Sequence, residues 1–570
     1  MRMPTYIAIH AVSGLRGYAA VNEVSVLIGG KAGDGINNAG AMVAQLLNNM
    51  GYRIYQYFDY PSLIRGGHNF AIIRSSEEYI GTHRNRVDFV LALNREAIDR
   101  HREKYSPETV IIFNADQVKI PGNGVPVKEI LAAVQAPEIM GNSAMIGAFA
   151  KAAGIGWETV ETVFRAHMPK GIDKNLMVAR RAYDGIDQIR PIPRGKNPPY
   201  SLLTGNEAIG LGMVKGGLDA YISYPMTPSS SLLHFLADQK TQLGITVIHP
   251  ENEIAVMIMA LGFAYAGKRS AIGTSGGGFC LMTEGLSFAG MAELPVVLVV
   301  SQRTGPSTGL PTYSGQTELH FVLNAGQGEY PRLIVAPGDA QEALYWSAVA
   351  TEMAWKFQVP AFILADKTLS EGTYSVDGEA VPVIPRTGSL SWDGAGDYRR
   401  YADTPSGVSP LAFPGRAGAV VKTDSYAHDE AGITTEESGI VEQMTKKRLR
   451  KGEGLAREME GYPGVVVSGD PDASCALLCW GSTKCACDEV GAGMGIRVIR
   501  PVVMWPFPGA GMKRALDGVT NLIDIEENAT AQLAQLAGRF GIAVTRKILR
   551  FDGRPFTPDD LRSRLTEVIP

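Results

Sequence analysis

An α/β protein made of several doubly wound domains is what this sequence predicts, and three observations predict it. Short apolar runs alternate with stretches of helical periodicity from residue 24 to the end of the chain. Glycine-rich turns repeatedly stand between a run and the helix after it. The length, 570 residues, exceeds the roughly 250–300 that one hydrophobic core organises, so about three domains are expected.

Composition narrows the function classes. Hydrophobic residues make up 45% and charged residues 20%, ordinary for a protein with a sizeable core. A formal net charge of −4 offers no global basic field, so no nucleic-acid partner is expected. Residues 1–20 contain no sustained apolar core followed by a small-residue cleavage site, which argues against secretion. The longest apolar stretch, residues 294–300, falls far short of the ~20 residues a membrane span needs and reads as a buried strand. Five cysteines, few and odd in number, fit a reducing cytoplasm better than a disulfide framework.

The elements follow in order. A strand from Val24 leads into the turn Gly29-Gly30-Lys31-Ala32-Gly33-Asp34-Gly35 and a helical stretch over residues 39–50; further strands are expected at 87–93 and 110–113. These make a first α/β domain, residues 1–190. Residues 190–199 hold four prolines, which sustain neither a helix nor a central strand, so residues 191–200 read as a linker. A second α/β domain, residues 201–385, has helical patterns at 208–218 and 254–265 and strands at 220–223, 271–274 and 294–300. Residues 386–465 form an excursion rich in Gly, Ser, Pro and Asp, ending in a charged helical stretch at 442–457 and expected to pack across a subunit interface. Strand-like runs at 475–480, 496–499 and 522–525 close the chain with a third small α/β domain, residues 466–570.

Five stretches bear on chemistry. The glycine turn at 29–35 is either a tight strand-to-helix turn or an anion cradle; it lacks the Lys and hydroxyl residue of a phosphate loop and does not match a dinucleotide fingerprint. Gly33-Asp34-Gly35 is not half of a thiamine diphosphate and magnesium motif either, because Asn48-Asn49 follow too soon. Tyr224-Pro225-Met226-Thr227-Pro228-Ser229-Ser230-Ser231 is a proline-stiffened turn that offers hydroxyls at a helix start, either to a carboxylate or merely as a cap. His249-Pro250-Glu251-Asn252-Glu253-Ile254-Ala255 sends a carboxylate into a helix that reads as buried, where a charge must be paired or protonated; acidic first-turn residues also serve the helix dipole. Thr274-Ser275-Gly276-Gly277-Gly278-Phe279 lets the backbone approach a ligand closely. Arg303-Thr304-Gly305-Pro306-Ser307-Thr308-Gly309-Leu310-Pro311-Thr312 puts an arginine at a strand's carboxyl end, where α/β proteins bind anions. An ordinary surface loop would account for either of the last two.

In this order the last four stretches resemble the α subunit of the 2-oxoacid:ferredoxin oxidoreductases. Gly29 to Gly35 and Arg65-Gly66-Gly67 look like the family's γ domain, fused here ahead of the α portion. Residues 407–415 and His428-Asp429-Glu430 are similar to the later α region, and Trp480-Gly481-Ser482-Thr483 and Glu527-Asn528 resemble its terminal domain. The resemblance implies that the second domain is a thiamine diphosphate domain of the pyrimidine type and the third is transketolase C-terminal-like. It also implies a division of labour, in which this chain faces the cofactor's aminopyrimidine ring while a separate β subunit holds the diphosphate, Mg2+ and a [4Fe-4S] cluster. Cysteines 280, 475, 479, 485 and 487 include no ferredoxin-type CxxCxxC run, and Cys475 and Cys479 fall on an expected buried strand, so no metal ligand is assigned.

The same resemblance assigns roles. Glu253 is the catalytic partner of the aminopyrimidine nitrogen, chosen over Glu251 because its spacing to Gly262 fits the family. Ser275 and Gly276 join it in binding the cofactor. Tyr224, Thr227, Arg303 and Thr312 hold the 2-oxoacid, and Arg65, Gly66 and Gly67 help to close over CoA. Gly277, where the family often has proline, and Glu318, where it often has aspartate, depart from the pattern and are expected to lie outside the chemical core. The implied activity is CoA-dependent oxidative decarboxylation of 2-oxoglutarate to succinyl-CoA with electrons passed to ferredoxin, or its reverse, in a dimer of αβ heterodimers. Pyruvate or another 2-oxoacid is the alternative substrate. A non-catalytic nucleotide- or CoA-binding module is the alternative of another class, which fold alone does not refute.

Overall fold

The computed structural model describes residues 23–62, 67–168, 170–382 and 388–569. Residues 1–20, with the expectation about secretion, lie outside them, as do Arg65 and Gly66. The strands are β1 (Glu23–Lys31), β2 (Arg53–Asp59), β3 (His68–Ser76), β4 (Phe89–Ala92), β5 (Val110–Asn114), β6 (Asn123–Val125), β7 (Ser201–Thr204), β8 (Ala220–Ser223), β9 (Thr246–Ile248), β10 (Ser270–Thr274), β11 (Val296–Gln302), β12 (Leu333–Val335), β13 (Pro360–Asp366), β14 (Thr373–Val376), β15 (Val465–Gly469), β16 (Cys475–Leu478), β17 (Arg497–Pro501), β18 (Val503–Trp505), β19 (Asn521–Glu526) and β20 (Arg546–Leu549). They form three sheets, in the orders β6-β5-β4-β1-β3-β2-β14-β7, β18-β12-β13-β11-β10-β8-β9 and β15-β17-β16-β19-β20. The fold is α/β throughout, as the alternating pattern predicts.

The second sheet positions the site. Strands β9, β8, β10, β11, β13 and β12 run parallel, and β18 adds antiparallel to the edge. Helices cover the sheet, so β11 is buried along its whole length and reads in sequence as an apolar run over residues 296–300. Gly273 on β10 tolerates no side chain, since a Cβ there would lie 1.8 Å from the Tyr221 hydroxyl.

Two hydrogen-bonded ladders cross the boundaries expected from the sequence. Strands β7 and β14, on either side of the second sheet's segment, pair antiparallel with each other and extend the first sheet through β2. The Tyr55 and Tyr374 rings meet edge to face at 5.1 Å where β2 and β14 join. Strand β18 leaves the third sheet's segment to pair with β12. The proline-rich linker is pinned rather than loose: Tyr52 donates to the Pro193 carbonyl at 2.7 Å, and Asn48 bonds both ways with the backbone of Tyr200.

The excursion after residue 388 runs without a long helix until Ser438–Met459, and Arg400 and Lys447 tie it to Glu293 of the second domain. Cys475 is half-buried on β16, whereas Cys479 is buried just beyond the strand end. Among the described residues, no helix is long and apolar enough to cross a membrane.

Candidate active site

The last four motif stretches, scattered over ninety residues of sequence, leave the carboxyl ends of four neighbouring strands, β8, β9, β10 and β11. That edge of a parallel sheet is where open α/β folds bind ligands. The proline turn after β8 is tied down by Asn206, which donates to the Pro228 carbonyl at 2.9 Å and the Ser231 hydroxyl at 2.7 Å. Ser229 stands at the N-cap of helix Ser230–Leu243 but makes no side-chain capping bond, so capping is not what its hydroxyl does. Tyr224 and Thr227 are half-buried, and the Tyr224 ring lies edge-on to His249 at 5.8 Å.

Glu253 opens helix Glu253–Tyr265 and is 6% exposed, while Glu251 is exposed. Asn252 caps the helix by accepting from the Ala255 amide at 3.0 Å, leaving the Glu253 carboxylate free to turn inward beside the glycine turn. A Cβ on Gly278 would lie 2.8 Å from Glu253 Oε1, and one on Gly276 would lie 2.5 Å from Glu318 Oε1. The glycines therefore let two buried carboxyl groups approach the backbone at Ser275–Gly278.

Arg303 is 8% exposed; its Nη1 donates to the Thr227 carbonyl at 2.9 Å, and its Nε has no partner. Burial lowers the guanidinium pKa, with the Glu318 carboxyl pulling the other way. The loop after it folds back on itself, Leu310 donating to the Thr304 carbonyl at 2.9 Å and Thr304 Oγ1 to the Ser314 carbonyl at 2.6 Å. Thr312 thus sits at the loop base, 5% exposed, with its hydroxyl unpaired. Ser275 is buried with its hydroxyl likewise unpaired. Arg303, Thr312, Ser275 and Glu318 each leave a buried polar atom without a protein partner, as groups that meet water or a polar ligand do.

One expectation changes. Glu318 does not lie outside the core, since it packs on Gly276, whereas Gly277 is exposed. In the first domain the glycine turn is built on positive φ, 96° at Gly33 and 70° at Gly35, and the Asp34 carboxylate accepts from the Lys31 amide at 2.9 Å. Of the turn assigned to CoA, only Gly67 is described; its carbonyl accepts from Ala32 N at 3.1 Å, which brings the two glycine turns together.

A parallel sheet with a buried acid at a helix start, a glycine turn beside it and a half-paired arginine on the next strand suits a thiamine diphosphate-dependent enzyme subunit, and a family profile agrees. The profile described as pyruvate flavodoxin/ferredoxin oxidoreductase, thiamine diP-binding, matches residues 211–447, and that of pyruvate ferredoxin/flavodoxin oxidoreductase matches residues 25–185. The chain is 35% identical to the 2-oxoglutarate synthase subunit KorA of Archaeoglobus fulgidus, over 55% of its own length and 84% of that protein. It is 29% identical to subunit alpha of 2-oxoacid:ferredoxin oxidoreductase 2 from Aeropyrum pernix, over 96% of this chain and 98% of that one. Among solved structures, a 2-oxoglutarate:ferredoxin oxidoreductase from Magnetococcus marinus, with 2-oxoglutarate, coenzyme A and succinyl-CoA bound, superposes with a TM-score of 0.84 at 27% identity, covering 96% of this chain and 99% of that one. The chain belongs to the 2-oxoacid:ferredoxin oxidoreductase family, as an α subunit.

Proposed function

We propose that this α subunit takes 2-oxoglutarate to succinyl-CoA with electrons passed to ferredoxin, or runs the reverse, and that it does so only with a β subunit. The observation that supports this most is the gathering of four motif stretches at one sheet edge, with Glu253 and Arg303 both buried there. Thiamine diphosphate, when bound, supplies the carbon nucleophile and electron sink for decarboxylation. The side chains that fit it are Glu253, to hold a proton at the aminopyrimidine nitrogen, and Ser275 with Gly276, to line the ring. Arg303 grips a carboxylate, and Thr227, Thr312 and Tyr224 orient the rest of the 2-oxoacid.

The substrate choice leans on the relatives whose names specify 2-oxoglutarate; pyruvate or another 2-oxoacid is the competing choice. Dependence on a partner draws support from helix Glu253–Tyr265, whose outward face carries Ile254, Ile258 and Met259 at 54%, 49% and 44% exposure. Leu281, 50% exposed on the segment beside it, extends this apolar surface next to the site. The β subunit would carry Mg2+ and the [4Fe-4S] cluster, with two αβ units pairing. Arg65, Gly66 and Gly67 would help to close over CoA.

Production with and without a β subunit of this family tests this. The assembled enzyme is expected to oxidise 2-oxoglutarate with CoA and a low-potential acceptor faster than pyruvate, and the single chain is expected to show neither turnover nor iron absorbance. Turnover by the single chain rejects the partner requirement, and preference for pyruvate rejects the substrate.

A further inference from the structure

Glu318 stands at the start of the short helix Leu319–Asn324 and reaches back over two site elements. Its amide donates to Gln302 Oε1 at 3.0 Å, fixing it to the end of β11. Its Oε1 accepts from the Thr317 hydroxyl at 2.7 Å and lies so close to Gly276 that no side chain fits there. Its Oε2 is buried without a partner, as is Arg303 Nε, and no ion pair within 4.0 Å joins Arg303 to any carboxylate among the described residues. The Thr317 hydroxyl, 2.7 Å from Glu318 Oε1 and 3.3 Å from the Arg303 carbonyl, links the segments that carry this buried carboxyl and this buried guanidinium, which form no ion pair with each other. A neutral glutamine would fill the same volume without the desolvation a carboxylate suffers there.

We propose that Glu318 is a positioning residue for the 2-oxoacid, its carboxyl group taking up one proton as the substrate carboxylate docks on Arg303. This rests on the function proposed above. With the site free of substrate, Arg303 offsets part of the charge on Glu318. An arriving carboxylate claims that guanidinium in a bidentate grip, leaving the Glu318 charge buried beside a second negative charge. A proton from solvent adds to Glu318 Oε2, which becomes a donor, and the substrate keeps its own charge.

Burial raises the Glu318 pKa to about 7, against the pull of Arg303, so the proton exchange falls near neutrality. Among the described residues, titratable groups on neighbouring segments include Glu253 across the glycine turn, His320 two residues on, whose Nε2 meets the Gln532 carbonyl, and Glu527, whose amide bonds to Gln316.

The test is the KM for 2-oxoglutarate of the assembled enzyme between about pH 6 and 8.5. Binding that takes up one proton makes KM rise by up to about tenfold per unit above the Glu318 midpoint. Glu318→Gln should flatten that rise, and Glu318→Asp should restore it with a shifted midpoint. A Gln variant whose KM profile runs parallel to the wild type overturns the proposal. Should that variant fail to assemble, the wild type is titrated with 2-hydroxyglutarate, which carries a hydroxyl in place of the keto oxygen, in two buffers of different ionisation heat. Uptake of about one proton at pH 8 and none at pH 6 supports the proposal, and no uptake at either pH overturns it. An assembled enzyme that oxidises no 2-oxoacid defeats the underlying function; one that oxidises them with a pH-independent KM defeats only the role of Glu318.

Discussion

Glu251 and Glu253 are two positions apart in sequence, yet one is exposed and the other is folded against a glycine turn. Glu253→Gln should keep the fold and lower turnover of the assembled enzyme by ~10²-fold or more with every 2-oxoacid, the size of effect a positioned acid-base group supplies. Glu251→Gln should leave turnover near normal. Arg303→Ala should instead weaken 2-oxoacid binding by ~2–3 kcal/mol, to an extent that varies with the substrate's carboxylates. Steady-state kinetics on the three variants separate these outcomes, and an inactive Glu251→Gln beside an active Glu253→Gln would move the activating carboxylate by two positions. The motif order points to these residues because each stretch stands next to a strand-like run. Glu318 escaped because only the fold brings it over Gly276.

At the scale of an element, helix Ser438–Met459 shows how two lysines disappear inside a run of charges. Lys447 and Lys451, one turn apart, are 0% and 1% exposed, and both pair with Glu293, itself fully buried. The two ammonium groups hold the Glu293 carboxyl well below the usual carboxylate range, and burial draws Lys451 down to about 8. Arg400 donates to the Glu293 carbonyl at 2.8 Å, so one residue anchors both the excursion and its helix to the second domain. Glu293→Gln strands two buried cations and is expected to cost about 3–5 kcal/mol. Urea unfolding should register the loss, and hydrogen exchange should quicken first along this helix; unchanged exchange there would dismiss the anchor. Helicity was readable from the spacing of residues 442–457. Which members of Lys446-Lys447-Arg448-Leu449-Arg450-Lys451 turn inward was not, because adjacent cations look alike until a buried acid selects among them.

The whole molecule is held by contacts between its first and third sheets that no local pattern reveals. Alternation of strand and helix announced three α/β layers, but pairing partners far apart in sequence, such as β14 with β2, depend on the completed packing. Arg74, 1% exposed on β3, pairs with Glu23 of its own sheet and Glu489 of the third sheet's layer, and Arg84 adds Asp559. Beneath this network His83 stacks on Tyr57 at 4.5 Å with its Nδ1 unpaired. Burial, reinforced by Lys104 and Arg74, lowers its pKa from 6.5 to about 3. The sign follows from linkage: between those values the unfolded chain binds a proton that the folded chain refuses. Stability is therefore fully present above about pH 6.5 and drains away as the pH falls toward 3. His83→Phe keeps the stacking surface and removes the titration, so urea unfolding followed from pH 7 to 4 should decline less steeply in the variant than in the wild type. Carboxylates that titrate in the same range are common to both proteins and cancel in the comparison. Parallel profiles would show that His83 accepts its proton without unfolding the interface, and the acid sensitivity would then belong to the Arg74 and Arg84 ion pairs.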